Sequence, residues 1–257
     1  MACAGGGFAL SAGGETRQNG AGKGAIMQRW IKGDPPVEVI LRRTSRARRF
    51  SLRVSRLDGR VTLSMPTRAD ESDALAFAEA QADWIRGAMA RSTPMAPVGF
   101  GTVLPIEGRS VTLMPGAVRA PLLQGEALIL PPDPARAALR AEAYLKLHAR
   151  VRLQAASDRY AALAGRAHAG VSLRDARSRW GSCSSDGRLM YSWRLIMAPP
   201  QVLDYVAAHE VAHLLEMNHS PAFWAVVRRL MPDYQTHRRW LKSRGNDLHR
   251  HLFRPQA

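Results

Sequence analysis

Cysteine is nearly absent from this chain of 257 residues: Cys3 and Cys183 are the only two. Cys3 lies in a Gly- and Ala-rich stretch and Cys183 in a compact motif, so no disulfide framework is expected, and this usage suits a reducing cytoplasm. No apolar run reaches the roughly 18 residues a membrane span needs. The opening MACAGGGFALSAGG has neither a basic n-region nor an apolar core, so no signal peptide is expected. Aromatic residues make up only 7% of the chain. None interleaves with its Arg-rich strands, which speaks against a base-stacking surface there. Acidic residues are scarce too: 21 Asp and Glu face 37 Lys and Arg, a net charge of +16. Such a surplus points either to an anionic partner or to a solvated Arg-rich surface.

What the chain does have is His209-Glu210-Val211-Ala212-His213 followed by His219, reading H-E-x-x-H-x-x-E-x-x-H. Helical residues four apart lie one above the other on the same face, so His209 and His213 can grip one ion from a single rigid element. Glu210, beside the first ligand, is placed to take a proton from a metal-bound water. That is the layout of a zinc hydrolase in which the Glu is general base. Val206, Ala207, Val211, Ala212, Leu214 and Leu215 make the segment apolar, and imidazoles in a largely buried helix need partners.

His219 is the expected third ligand, with the fourth position left for water. A straight helix would carry it about 15 Å from His209. The chain must therefore turn back, and it has the residues to do so. Pro199-Pro200 opens a helix expected to run to about Met217, and Asn218 tolerates the left-handed conformation. Ser220 then caps a new helix with Pro221 in its first turn. Glu216 shares the ligand face and is a candidate either to replace His219 or to orient an imidazole. One Zn²⁺ held by three His is the preferred reading. Asp204 reads as a first-turn carboxylate.

The first 34 residues show no period and read as a disordered extension. Residues 35–131 read as a β-rich module with one helix. Val37, Val39 and Leu41 alternate, as do Phe50, Leu52 and Val54, then Val61, Leu63 and Met65, with a hairpin turn at Asp58-Gly59. Arginine fills positions 42, 43, 46, 48, 49, 53, 56 and 60, a face for a polyanion such as a nucleotide or nucleic acid, or simply a solvated one. Asp70 is expected to cap a helix to about Ser92, with Leu75, Phe77, Ala78, Ala82 and Ile85 inward. Short strands are expected near 102–106, 110–114 and 127–130. A domain boundary is expected at Pro131-Pro132-Asp133-Pro134. Residues 132–248 read as the metal-binding catalytic domain, opening with a long helix from Asp133 to about Leu163 that Gly165 closes. Val171–Arg179 and Leu189–Leu195 read as strands around a turn at Ser184–Gly187, and a last helix runs from Asp233 to Arg244. Residues 249–257, with His249 and His251, read as a solvated basic tail.

Trp180, Gly181, Ser182 and Cys183 form a knot just before the metal helix, either a structural turn or a strand edge that an extended substrate could pair with. Cys183 reads as a small buried thiol. Tyr234, His237 and Arg238 follow the motif. Tyr234 and His237 are candidates to stabilise an oxyanion, beside the plainer reading of packed helix residues.

Arg179-Trp180-Gly181-Ser182-Cys183-Ser184, Trp193-Arg194-Leu195, the HExxH helix, His219-Ser220-Pro221-Ala222-Phe223-Trp224 and Met231-Pro232-Asp233-Tyr234 together resemble the YgjP-like zinc metallopeptidases, related to the SprT-like and WLM zincins. The resemblance covers roughly residues 37–245. It implies zinc ligands at His209, His213 and His219 and a catalytic base at Glu210. It also implies a zincin-like core of support helix, small sheet and active-site helix; with the small antiparallel β-rich module read before it, the expected fold class is α+β. Metzincins carry Gly where this chain has Glu216, so no metzincin substrate rule carries over. The sequence thus reads as a cytoplasmic zinc-dependent metallopeptidase acting on peptide or protein, with no membrane partner. Two rivals stand beside it: a metal-dependent nucleotide or phosphoanhydride hydrolase, and a nucleic-acid-associated protease acting on DNA-bound proteins.

Overall fold

The computed structural model describes residues 26–55, 59–90 and 95–254. Most of the expected N-terminal extension, Arg56, Asp58 and the end of the expected tail lie outside them. The architecture is α+β, with six helices and several small sheets among the described residues. The chain forms two compact units that divide between residues 92 and 93.

In the first unit, strands β1 (Ile26–Ile31), β2 (Val37–Arg43), β3 (Ser51–Val54) and β4 (Val61–Met65) form one sheet in the order β1-β2-β4-β3. Helices α1 (Glu71–Ala80) and α2 (Ala82–Ala90) follow. The strand period of two sends Val37, Val39, Leu41, Val61, Leu63 and Met65 to one face, where Ala74, Ala78 and Ile85 of the helices meet them. Asp70 caps α1 by accepting from Ser72 N at 2.8 Å. Three expectations are corrected. Order begins well before Val37, since β1 pairs with β2 along its whole length. The sheet is mixed, because β2 and β4 run parallel. The expected single helix is interrupted at Gln81.

The second unit contains β5 (Ala96–Pro97), β6 (Val103–Ile106), β7 (Arg109–Pro115), β8 (Leu122–Gln124), β9 (Ala127–Leu130) and helix α3 (Pro134–Ala164). After α3 come β10 (Gly170–Arg174), β11 (Gly181–Cys183), β12 (Arg188–Ser192), a 3-10 turn Trp193–Met197, and helices α4 (Pro200–Ala212), α5 (Pro221–Leu230) and α6 (Tyr234–Arg244). A second 3-10 turn, Gly245–His249, and β13 (His251–Leu252) close it. The boundary lies earlier than the Pro-rich stretch suggests. Leu104, Ile106, Leu113, Leu128 and Leu130 share one core with α3 and α4, so 131–134 is a corner inside this unit.

Asp133 accepts from Ala135 N at 3.1 Å and Gly165 closes α3 in the left-handed conformation at φ 68, both as the sequence dictates. Along α3, Ala137, Ala141, Leu145, Ala149, Leu153, Ala156 and Tyr160 form one buried stripe. Alanine there lets the backbone of α4, itself lined by Ala207, Ala208 and Ala212, approach closely. Asp204 is not a first-turn carboxylate but pairs with Arg159 of α3 at 3.0 Å. A three-stranded sheet, ordered β10-β12-β11, leaves β11 at an edge beside α4.

The described part of the expected solvated tail, residues 249–254, is instead packed. His249 is buried and Phe253 joins the core. β13 pairs with β5. The cause is Arg194, which donates to the carbonyls of Leu248 at 3.1 Å and His251 at 3.2 Å while its other nitrogens hold Asp175.

Candidate metal centre

Helix α4 begins at Pro200 and buries Val202, Leu203, Val206 and Ala207. It ends at Ala212, earlier than the expected Met217, with His213 as its cap. The reason lies in the main chain. Leu214 N donates to Val211 O, Leu215 N to Ala212 O and Glu216 N to Ala212 O, so the chain tightens and leaves the helix axis. The Glu216 carbonyl that this turn exposes accepts from His213 Nδ1 at 3.0 Å. A carbonyl can only accept, so Nδ1 carries the proton and the Nε2 lone pair of His213 is left for a ligand. Glu216 therefore orients an imidazole through its backbone, while its carboxylate stands outside the histidine cluster.

The turn brings His219 back. Ser220 caps α5 by accepting from Phe223 N at 3.3 Å, and Pro221 occupies the first turn. His219 Nε2 lies 3.0 Å from His209 Nε2. One donor nitrogen from each of His209, His213 and His219 falls within 4.8 Å of the others. Two lone pairs facing each other at 3.0 Å repel, so a shared proton or a cation must lie between them. Phe223, fully buried, supports all three rings, with centroids 4.9, 4.5 and 4.7 Å from those of His209, His213 and His219.

Burial, followed by His213, His219 and Arg238, pushes the His209 imidazole down to about 3. Burial lowers His213 as well, against the bond to the Glu216 carbonyl. Neutral imidazoles with converging lone pairs are the donor set a borderline-soft divalent cation takes, so these residues fit a zinc ion.

Glu210, the next residue along α4 after His209, is buried against β11. Burial pushes its carboxyl up to about 8, with Arg179 pulling the other way. The wall it faces is the backbone of Gly181, where an added Cβ would fall 2.5 Å from Oε1. Cys183, two residues on, is pushed up to about 11 by burial and by Glu210, so it is an inert thiol and no member of the cluster. Ser182 pairs with Met190 in the ladder. The Trp180 ring lies tilted against that of His249, with centroids 5.0 Å apart, and anchors the knot.

The residues after the motif divide. Tyr234 is buried and stacked between Tyr205 at 6.4 Å and Trp224 at 5.5 Å. His237 is tied to Asp233 at 2.9 Å. Arg238 lies over the Trp224 ring at 4.5 Å, and Trp224 lies 5.8 Å from both His209 and His219. Sequence reasoning missed Tyr205, Phe223 and Trp224 as parts of the site. Tyr205 precedes His209 by one turn and could have been found by the same spacing that reveals the ligands. Phe223 follows from the Ser220 cap, which fixes its position in the first turn of α5.

The family model described as YgjP-like, metallopeptidase domain, matches residues 48–244. No curated protein matches. Among solved structures, the crystal structure of the metallopeptidase zymogen of Pyrococcus abyssi abylysin is similar at 18% identity and a TM-score of 0.33. The likeness covers 35% of this chain and 93% of that one, and at that level it carries no weight.

Proposed function

The chain belongs to the YgjP-like metallopeptidase family, and from that premise we propose that it is a zinc-dependent peptidase in which Glu210 is the general base. The observation that carries this reading is the convergence of three imidazole nitrogens within 4.8 Å, with the buried Glu210 carboxyl one residue from the first of them. Zinc, when bound, would supply the Lewis acidity that lowers the pKa of a water and polarises the scissile carbonyl. The chain supplies the rest. His209, His213 and His219 hold the ion, and Phe223 fixes their rings. Burial makes the Glu210 carboxylate a stronger base than an exposed one, suited to take a proton from a water and return it to a leaving amine. The edge strand β11 offers main-chain groups to an extended peptide laid beside Glu210. A free Cys183 suits a cytoplasmic setting, and among the described residues no helix is long and apolar enough to cross a membrane.

The test is metal analysis of the protein and its Glu210→Gln variant, with peptides and nucleoside triphosphates offered to both. The expected result is equal zinc and peptide cleavage by the wild type alone. Turnover retained in the zinc-loaded variant would remove Glu210 as base. Triphosphate turnover without peptide cleavage would replace the peptidase reading with the phosphoanhydride one.

A further inference from the structure

One face of the first unit's sheet is covered by α1 and α2, and the other is open. Cross-strand register assigns the open face. Trp30 of β1 sits opposite Glu38 of β2, Ile40 opposite Thr62 of β4, and Arg53 of β3 opposite the same Thr62. Arg42 sits opposite Ser64 in the next row. Trp30 is 64% exposed, and Arg42 and Arg53 are exposed as well. Neither arginine has an acidic partner among the described residues.

The β2–β3 connection, residues 44–50, leaves the sheet at the Arg42 end and adds exposed Arg46, Arg48 and Arg49. The face therefore runs from an aromatic ring, across hydroxyls and a half-buried aliphatic, to a cluster of cations. Among the described residues Glu38 is its one acid. Three strand spacings of about 4.8 Å and a two-residue offset along the strands place Trp30 and Arg53 roughly 16 Å apart, the span of two to three splayed nucleotides.

We propose that this open face binds single-stranded nucleic acid, with Trp30 stacking a base and Arg42 and Arg53 meeting phosphates. Charge complementarity favours a polyanion, and the exposed indole favours one that carries flat bases. A duplex hides its bases from such a surface, and a sulfated polysaccharide has none to stack. The sequence pointed to a polyanion on this arginine face but not to base stacking, because Trp30 comes from a strand paired in through β2.

Fluorescence anisotropy of the full chain with labelled oligo-dT and oligo-U, across a salt series, tests the proposal. Duplex DNA and heparin serve as competitors, and zinc content and circular dichroism serve as folding controls. Trp30→Ala is expected to weaken single-strand binding about tenfold while leaving heparin binding unchanged. Arg42→Gln and Arg53→Gln should each flatten the log–log salt slope by roughly one. The ratio of the dT and U affinities tells which strand is preferred. Absence of single-strand binding at low salt overturns the proposal, as does an oligonucleotide affinity that Trp30→Ala does not change. Equal competition by duplex overturns it too.

Discussion

Gly181 and Glu210 share a space that admits no methyl group. A Cβ on Gly181 would stand 2.5 Å from Glu210 Oε1 and 2.6 Å from its Cγ. Real Cβ atoms do not approach so closely, so Gly181→Ala must push the carboxylate aside. A displacement of about 1 Å at a reacting group costs on the order of a hundredfold in rate. Gly181→Ala is therefore expected to lower kcat by that order while zinc content stays at the wild-type value. A variant with unchanged kcat would show that Glu210 need not stand where it does.

His219→Ala should separate the third ligand from the helix that carries the other two. Loss of an outer partner of a metal site costs roughly 10–100-fold in affinity, and loss of a ligand should cost more. Competition with a chelator of known affinity measures it. Because His213 ends α4 and His219 precedes α5, metal removal should also lower the melting temperature of the wild type, by mass action on a site the unfolded chain lacks. Chelator should leave the melting temperature of His219→Ala nearly unmoved.

His249 makes stability depend on pH. Burial, then Arg194, pushes its imidazole down from 6.5 to about 4, against Asp175. Between those two values the unfolded chain binds a proton that the folded chain refuses. Stability is therefore full above about 6.5, falls as the pH falls, and levels off below about 4. From pH 7 to pH 5 the loss attributable to this group is about 2 kcal/mol. His249→Phe keeps the ring against Trp180 and removes the titration. Urea unfolding of the two zinc-loaded proteins at pH 7 and pH 5 should show the wild type losing more, and parallel losses would remove His249 from the account.

Arg194→Gln tests the anchoring of the C-terminal segment. The guanidinium holds Asp175 at 2.7 Å and two carbonyls of that segment, and its removal strands a partly buried carboxylate. The expected cost is about 3 kcal/mol, read as a lower urea midpoint, with β13 exchanging its amides faster. Undiminished protection at Leu252 would show that Phe253 alone holds the segment.

Local chemistry made much of this readable. Asp70, Asp133, Ser220 and Gly165 mark helix ends through their own side chains or lack of one, and each stands where the sequence put it. The i, i+4 ligand pair is equally local, and the break before Ser220 explained how His219 returns. What escaped depended on distant partners. The strand around Trp30 lies in a Gly- and Ala-rich context with no period of its own, and its pairing with β2 defines it. His249 and Phe253 follow the last helix with no pattern, and Arg194, more than fifty residues away, draws the segment in. The division between units escaped because Pro131-Pro132 turns the chain sharply within a single core, and proline marks a corner whether or not a domain ends there.

The Ser220 cap carries a lesson for transplantation. His213 closes one helix and Ser220 opens the next, so the interval that holds His219 has both ends clamped. Adding or deleting one residue there would swing the start of α5 about its axis, withdrawing Phe223 from beneath the three rings. Copying the five-residue signature onto another helix would thus move two histidines and leave behind the parts that aim the third. The smallest portable piece of this centre is the whole run from Pro199 through Met231, together with a glycine-bearing strand to lie against Glu210.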